Sequence, residues 1–391
     1  MKILLVHNEY GKYSGEEAVV DKMAMIFTGL GHDVAQLRMS TAGARESISG
    51  KIRGFLSGLW CPSGIKAMRK AIEREHPDVV NVHNLYPFIS PAALRECKKA
   101  GIPVVMTIHN FRLICPTGLF MRDGAPCELC LQRGDEWGCV RYNCEQSRLK
   151  SVGYAARNAV ARLRSHYMDC VDRYACITDF QRIKLTEAGY PSDRLTLIPN
   201  PMDIDCRNID ESHSGQCGNY VAFCGRISRE KGIDLIIEAA RQNPDITFRL
   251  AGAVADETLT ADLPANVNLT GYLKGKELTE FYSNARFMVM ASRWYEGFPM
   301  AILEAAKYNK ATVAPDHGGF TEIIGKGNDT IGALFTPGDA SALSREIRKL
   351  WDSPDLATKL GAAANTKLRR EYSTTVISRK WQHLLDDLTA R

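Results

Sequence analysis

Two stretches in the second half of the chain carry residue types suited to an anionic group and a diol. Between Phe223 and Ala239 an apolar run ends at Gly225, a short polar loop carries Arg226 and Lys231, and a helical pattern starts near Gly232. A guanidinium and an ammonium stay charged at neutral pH, which suits the concentrated negative charge of a nucleotide diphosphate. The other reading of this pair is surface charge flanking a strand–helix turn. Between Ser292 and Ala306 a second loop leads into a helix, with Pro299 suited to the first turn by its fixed φ and missing N–H. The amides of Gly297, Phe298 and Met300 would then face out from a helix N-terminus, a ready anion site. Glu296 precedes that turn, and Glu304 follows eight residues later. A carboxylate accepts two O–H donors from a ribose or sugar diol. Complementarity to the helix dipole accounts for Glu296 but not for Glu304.

These loops need strands to hold them. The first half alternates β-branched runs with longer helical patterns: strands are expected at Lys2–His7, His32–Leu37, Asp78–His83, Ile102–His109, Arg173–Thr178 and Leu195–Pro199, with helices between, as at Glu16–Leu30 and Ile65–Glu75. The pattern restarts at Tyr220–Gly225, Ile246–Gly252, Val267–Leu273, Ala285–Ser292, Ala311–Pro315 and Gly332–Thr336. The alternation predicts an α/β chain of two Rossmann-like, doubly wound parallel-sheet domains, 1–200 and 218–373. Residues 201–217, rich in Pro, Gly, Ser and Asp, are expected to be the linker. Ligands of such sheets bind outside the carboxyl ends of the strands, so the cleft between the domains is the expected site. A last helix, 374–391, has Val376, Ile377, Trp381, Leu384, Leu385 and Leu388 at helical spacing and is expected to pack back on the first domain.

Composition narrows the class. At 391 residues, with 45% hydrophobic and 24% charged, the chain suits two globular domains. No run approaches the roughly 18 apolar residues of a membrane span. The N-terminus reads as a first strand rather than a signal peptide, so a cytoplasmic protein is expected. Residues 1–200 hold 27 Lys and Arg against 20 Asp and Glu, a surplus of +7, and the remainder 23 against 25, or −2. The surplus suits an anionic acceptor or membrane surface as well as it suits a plain solvated face. Between Arg148 and Arg173, basic residues interleave with Val152, Ala156, Ala159, Val160, Leu163 and Tyr167. This is a basic amphipathic helix, packed on the sheet on the first reading and resting peripherally on anionic lipid on the second.

Most of the twelve cysteines are scattered and fit reduced thiols. Cys127, Cys130, Cys139 and Cys144 instead cluster in an insert, 115–144, with Cys115 upstream. Four thiolates could close a tetrahedral structural zinc site, with no open position for catalysis. Unmetallated thiols and a redox pair are the other readings. In the first half, His83 and His109 each follow a strand and land at its carboxyl end, and His7 ends the first strand.

The combination resembles the retaining family 4 glycosyltransferases of the GT-B fold, in the bacterial surface-polysaccharide type. The resemblance runs over nearly the whole chain. It rests on Gly15-Glu16-Glu17 after the opening strand, the Gly225-Arg226 to Lys231-Gly232 segment, the Glu296 to Glu304 segment, Gly318 to Glu322, and the Pro337 to Asp339 turn. It implies transfer of a sugar from a nucleotide-diphosphate sugar to a glycan or lipid-linked acceptor, with retention and without a catalytic metal. It also implies Arg226 and Lys231 on the diphosphate, Glu304 on the ribose, Glu296 on the donor sugar, His109 beside that sugar, and Gly15 letting the first loop approach the phosphates. Asn110 departs from the Asp that many relatives carry after this histidine. Two other classes compete. An NAD(P)-dependent oxidoreductase on tandem Rossmann domains lacks a GxGxxG after any strand. A non-catalytic, zinc-stabilised nucleic-acid binder lacks an aromatic-interleaved basic patch, so no nucleic-acid partner is expected.

Overall fold

The computed structural model describes residues 1–9, 15–41, 54, 57–204 and 218–390. The chain divides into two units. Unit 1 comprises Met1–Leu119, Glu128–Pro201 and Thr375–Arg391, and unit 2 comprises Phe120–Cys127 and Met202–Thr374. Most of the expected linker, 205–217, falls outside the described residues.

Unit 1 is built on β1 (Lys2–Glu9), β2 (Asp33–Ser40), β3 (Val79–Asn84) and β4 (Val104–Ile108). A short antiparallel hairpin of β5 (Met121–Arg122) and β6 (Ala125–Pro126), which the sequence pattern did not disclose, belongs to unit 2. β7 (Arg173–Cys176) and β8 (Leu195–Leu197) complete the unit 1 sheet, in the order β2-β1-β3-β4-β7-β8, all parallel. Both faces are buried because side chains alternate across the pleat. Leu4 and Val6 join the cluster with Met68 and Ile72, whereas Ile3 and Leu5 join the opposite one with Phe27. The helix Thr374–Thr389 closes that second face: Ile377, Trp381, Leu384, Leu385 and Leu388 are buried in it, and Trp381 meets Phe27 edge-on at 5.3 Å.

Unit 2 contains β9 (Val221–Cys224), β10 (Phe248–Ala251), β11 (Val267–Gly271), β12 (Phe287–Val289), β13 (Thr312–Pro315) and β14 (Gly332–Phe335). They form a parallel sheet ordered β11-β10-β9-β12-β13-β14. The order reverses between β9 and β12, where loops from adjacent strands diverge and leave a crevice. In unit 1 the matching reversal lies between β1 and β3. Candidate residues follow both pairs: Arg226 and Lys231 after β9, Glu296 after β12, His7 at the end of β1, and His83 at the end of β3.

The helix that follows β9, Ile233–Arg241, starts at Gly232, which sits at φ 69°. A Cβ built there would lie 1.9 Å from the Ala291 carbonyl oxygen. Only glycine admits this left-handed turn with another backbone pressed against it. The approach is held by Arg293 N–H donating to Glu230 O at 2.9 Å and by the ion pair of Arg293 with Asp234. Gly232→Ala is therefore expected to lower unfolding stability by about 2 kcal/mol or more, read as a lower urea midpoint at unchanged slope. Gly15→Ala is the control, since a Cβ at Gly15 meets nothing within 4 Å, and it should stay within about 1 kcal/mol of the parent.

Candidate active site

In unit 2 the two chemistry-bearing stretches meet. Lys231 closes a 3-10 turn, Arg229–Lys231, and its Nζ lies 2.8 Å from Glu296 Oε1 and 5.6 Å from the Trp294 ring centroid. The pair is largely shielded, with side chains 18% and 8% exposed, so its attraction is little screened. Ser292 Oγ donates to the same Glu296 oxygen. Oε2 has no hydrogen-bond partner among the described residues. Arg226 is more open, 58% exposed, and pairs with Glu230 one helical turn on. Each cation is thus balanced by an acid, whereas the sequence alone assigns these groups to separate parts of one ligand.

The helix Met300–Lys307 starts one residue later than expected, with Pro299 as its N-cap. The Met300 amide does not point outward: it donates to Phe298 O at 2.9 Å, in a tight turn imposed before the helix. The amides of Gly297 and Phe298 have no partner among the described residues. Glu304 is on this helix, and Tyr282 O–H donates to its Oε2 at 2.5 Å. Tyr282 is buried and stacks on Tyr308, with centroids 5.4 Å apart and planes within 1°. The tyrosine fixes one carboxylate oxygen and leaves the other available.

Sequence reasoning missed Tyr282, Ser292 and His317. His317 Nε2–H donates to Ser292 O at 3.0 Å, steadying the loop that carries Glu296. Tyr282 lies 22 residues before the acid it serves, across β12, so only the fold relates them. Of the other family-like segments, Gly318 (φ 57°) would place a Cβ 3.3 Å from the Tyr295 ring, and Asp339 caps a helix by accepting from Ala342 N at 2.9 Å. Both contacts shape the unit.

In unit 1, Gly15 opens the helix Gly15–Gly29 beside open space. His109 follows β4 and borders a small pocket shared with His83, Asn84, Tyr86, Asn110 and Arg112. His83 Nδ1 and His109 Nε2 are 2.8 Å apart. Burial foremost, then the neighbouring His109, holds His83 well below the ordinary histidine value. Burial, then Arg112, lowers His109 to about 4. Both imidazoles are neutral at pH 7.

The cysteine cluster is only partly assembled. Burial and a hydrogen bond with Cys144 push the Cys139 thiol up, the hydrogen bond being the larger cause. Cys139 Sγ also approaches Ser151 O at 3.7 Å, and Cys144 Sγ approaches Gly138 O at 4.0 Å. Among the described residues no group of three or more His, Cys, Asp or Glu is placed to hold a metal ion. Of the four cysteines expected to ligate zinc, Cys139 and Cys144 turn toward backbone carbonyls.

The basic helix spans Arg148–Leu163 and ends before Ser165, a left-handed residue at φ 51°. It packs through Ser151, Gly153, Ala155, Asn158 and Ala161. This differs from the stripe read from sequence: Val152 and Leu163 are exposed, along with Leu149. Small residues make the close contact because they let the backbone approach, and the larger apolar groups are left outside. Among the described residues no helix is long and apolar enough to cross a membrane.

Comparison with known proteins accords with this geometry. The family described as Glycosyl transferases group 1 matches residues 207–367, and Glycosyltransferase Family 4 matches residues 13–205. The alpha-maltose-1-phosphate synthase of Mycolicibacterium smegmatis is 30% identical over 73% of this chain and 71% of its own. The alpha-D-kanosaminyltransferase of Streptomyces kanamyceticus is 24% identical over 84% and 81%. Among solved structures, Anabaena HepE in complex with UDP and glucose superposes with a TM-score of 0.69 at 16% identity, over 99% of this chain and all of that one. The sucrose-phosphate synthase of Thermosynechococcus elongatus gives 0.71 at 15%, over 100% and 99%. The fold is that of the GT-B glycosyltransferases. The chain belongs to the group 1, family 4 glycosyltransferases, and neither the oxidoreductase nor the nucleic-acid-binding reading finds support among these relatives.

The histidine pair gives the protein a pH signature. Unfolded, His109 takes up a proton as the pH falls through about 6.5; folded, it resists until about 4. Stability should therefore be full above about pH 6.5 and fall between there and pH 4. His109→Gln should remove up to about 1.4 kcal/mol per pH unit of that slope, measured by urea unfolding across the window. An unchanged slope in the variant contradicts the assignment.

Proposed function

We propose that this glycosyltransferase takes a nucleotide-diphosphate sugar as donor and a glycan or lipid-linked molecule as acceptor, with unit 2 the donor side and unit 1 the acceptor side. The observation that carries the proposal is the Lys231–Glu296 pair at the β9/β12 reversal, with Arg226 on the same loop and Glu304 aimed by Tyr282. On arrival of the donor, Arg226 and Lys231 exchange their carboxylate partners for the diphosphate, which frees Glu296 for sugar hydroxyls. The amides of Gly297 and Phe298 add donors toward the sugar-bearing end, and Glu304 grips the ribose diol. Gly15 keeps side-chain bulk from the phosphates.

The acceptor hydroxyl then attacks the anomeric carbon on the face that the diphosphate leaves. The glycosidic C–O bond forms as the C–O bond to phosphate breaks, and the departing phosphate oxygen takes the hydroxyl proton. The cations stabilise charge as it gathers on the leaving group, so retention follows with neither a protein base nor a catalytic metal. The complex of Anabaena HepE with UDP and glucose supports the donor class, and the likeness to the amylovoran biosynthesis glycosyltransferase AmsK of Erwinia amylovora and to the lipopolysaccharide outer core galactosyltransferase WaaB supports the acceptor class.

Two peripheral readings accompany it. Cys130 and Cys144 approach Cys139 closely enough to influence its thiol, which supports a structural zinc drawn in with Cys127 by rotation of the side chains. Metal analysis of the purified chain should then find stoichiometric zinc whose chelation lowers Tm; metal-free protein of unchanged Tm ends that reading. Exposed Leu149, Val152 and Leu163 beside Arg148 and Lys150 support peripheral contact with an anionic membrane at its cytoplasmic face. The chain should float with anionic vesicles and not with zwitterionic ones, and equal recovery from both contradicts it.

The central test is nucleoside-diphosphate release from a panel of UDP-, GDP- and ADP-sugars, followed by mass spectrometry. At least one donor should turn over, and Arg226→Ala and Glu304→Ala should each lower kcat/KM about a hundredfold at unchanged Tm. Folded variants that match the parent overturn the proposal.

A further inference from the structure

The carboxyl ends of β3 and β4 hold a buried polar chain that none of the donor-site residues touches. Asn81 is fully buried, and His83 and Thr107 are nearly so. Asn81 Nδ2 lies 3.3 Å from Val105 O and 3.1 Å from Thr107 Oγ1. A backbone carbonyl can only accept, so this contact fixes which end of the Asn81 amide is nitrogen. Asn81 Oδ1 is then the atom 2.8 Å from His83 Nε2. It too can only accept, so His83 carries its hydrogen on Nε2.

A neutral imidazole has one N–H, which makes His83 Nδ1 an acceptor. Its partner at 2.8 Å, His109 Nε2, must donate. The rings meet edge to edge: an interplanar angle of 19° with centroids 5.1 Å apart is too wide for face-to-face contact at about 3.5–4 Å. The N–H therefore points along the line to its acceptor. The single hydrogen of His109 is committed to Nε2, and its Nδ1 is a lone pair with no hydrogen-bond partner among the described residues. His109 borders the pocket that also contains Asn110 and Arg112.

We propose that Asn81 and His83 are positioning residues that lock His109 in the Nε2–H tautomer, so that it presents a hydrogen-bond acceptor to a sugar hydroxyl of the substrate. This rests on the reading of the chain as a nucleotide-sugar-dependent transferase and adds the sense of one contact within it. An acceptor at this place selects a hydroxyl that donates toward His109. A donor sugar with hydrogen (deoxy) or O-methyl at the matching carbon leaves the lone pair unmet, whereas an N–H₃⁺ or O–H satisfies it. The order of the chain matters because each link permits one direction only. Reversing the first link reverses the last.

The replacement Asn81→Asp makes that reversal. A carboxylate at this buried position draws a second hydrogen onto His83. A doubly protonated His83 can only donate, so His109 Nε2 must accept and its own hydrogen moves to Nδ1.

The experiment is nitrogen-15 NMR of histidine-labelled full-length protein at pH 7, with His109 assigned by its loss in His109→Gln. The parent should show His109 protonated on Nε2 and bare at Nδ1; Asn81→Asp should show the opposite. With a donor that the parent turns over, the variant should lose about tenfold in kcat, the worth of one hydrogen bond, while KM for the donor stays within about twofold. A parent His109 protonated on Nδ1 overturns the proposal, as does a folded Asn81→Asp chain that keeps the parent tautomer or the parent kcat. The parent spectrum decides the tautomer even if the variant fails to fold. The donor screen separates the two ideas, since a chain that turns over donor with the wrong His109 tautomer keeps its proposed function and loses this relay.

Discussion

The candidate site of unit 2 is organised around a backbone contact that leaves no room for a side chain. Gly232 turns through a left-handed conformation against the Ala291 carbonyl, and this draws the loop after β9 onto the loop after β12. Without it, Lys231 and Glu296, 65 residues apart in sequence, would have no reason to meet. The backbone bond from Arg293 to Glu230 and the Arg293–Asp234 pair close the same seam on either side. The sheet order adds the reason that this seam is a site: at a reversal of strand order the two loops lead away in opposite directions, and their carboxyl ends are left uncovered.

The two units solve the burial of polar groups in opposite ways. Unit 2 keeps formal charges and balances them, with Lys231 against Glu296 and Arg226 against Glu230. Such pairs can be exchanged for a charged ligand, because the ligand replaces what it displaces. The chain of groups at the ends of β3 and β4 in unit 1 is neutral instead. Asn81, His83 and His109 satisfy one another with single hydrogens, and burial keeps a second proton off both rings. A neutral chain has direction rather than charge, so it is suited to orienting a hydroxyl and unsuited to holding a phosphate.

Much of this was legible in the sequence. The strand–helix alternation was enough to place both sheets, because parallel strands buried on two faces read as apolar runs bounded by turns. Arg226, Lys231, Glu296 and Glu304 stood out because charges at strand ends and helix starts have few structural duties. The contact of Lys231 with Glu296 was not legible, since it depends on the close approach of the two loops at Gly232. The helix 148–163 was read with the wrong face inward: large apolar residues mark the packed side only when the neighbour leaves room for them, and here Ser151, Ala155 and Ala161 make the contact. Tyr282 escaped notice because it acts on a residue of another helix, and His83 was read as a strand-end histidine without its contact to His109 at the end of the next strand.

The claim that the loops after β9 and β12 hold a nucleoside diphosphate is tested most directly by hydrogen–deuterium exchange of the intact chain with and without saturating UDP, GDP or ADP. The account predicts that the nucleotide that binds slows exchange in the peptides covering 225–232 and 292–304 more than anywhere else. Protection concentrated elsewhere, with these two segments exchanging as in the free protein, would contradict it.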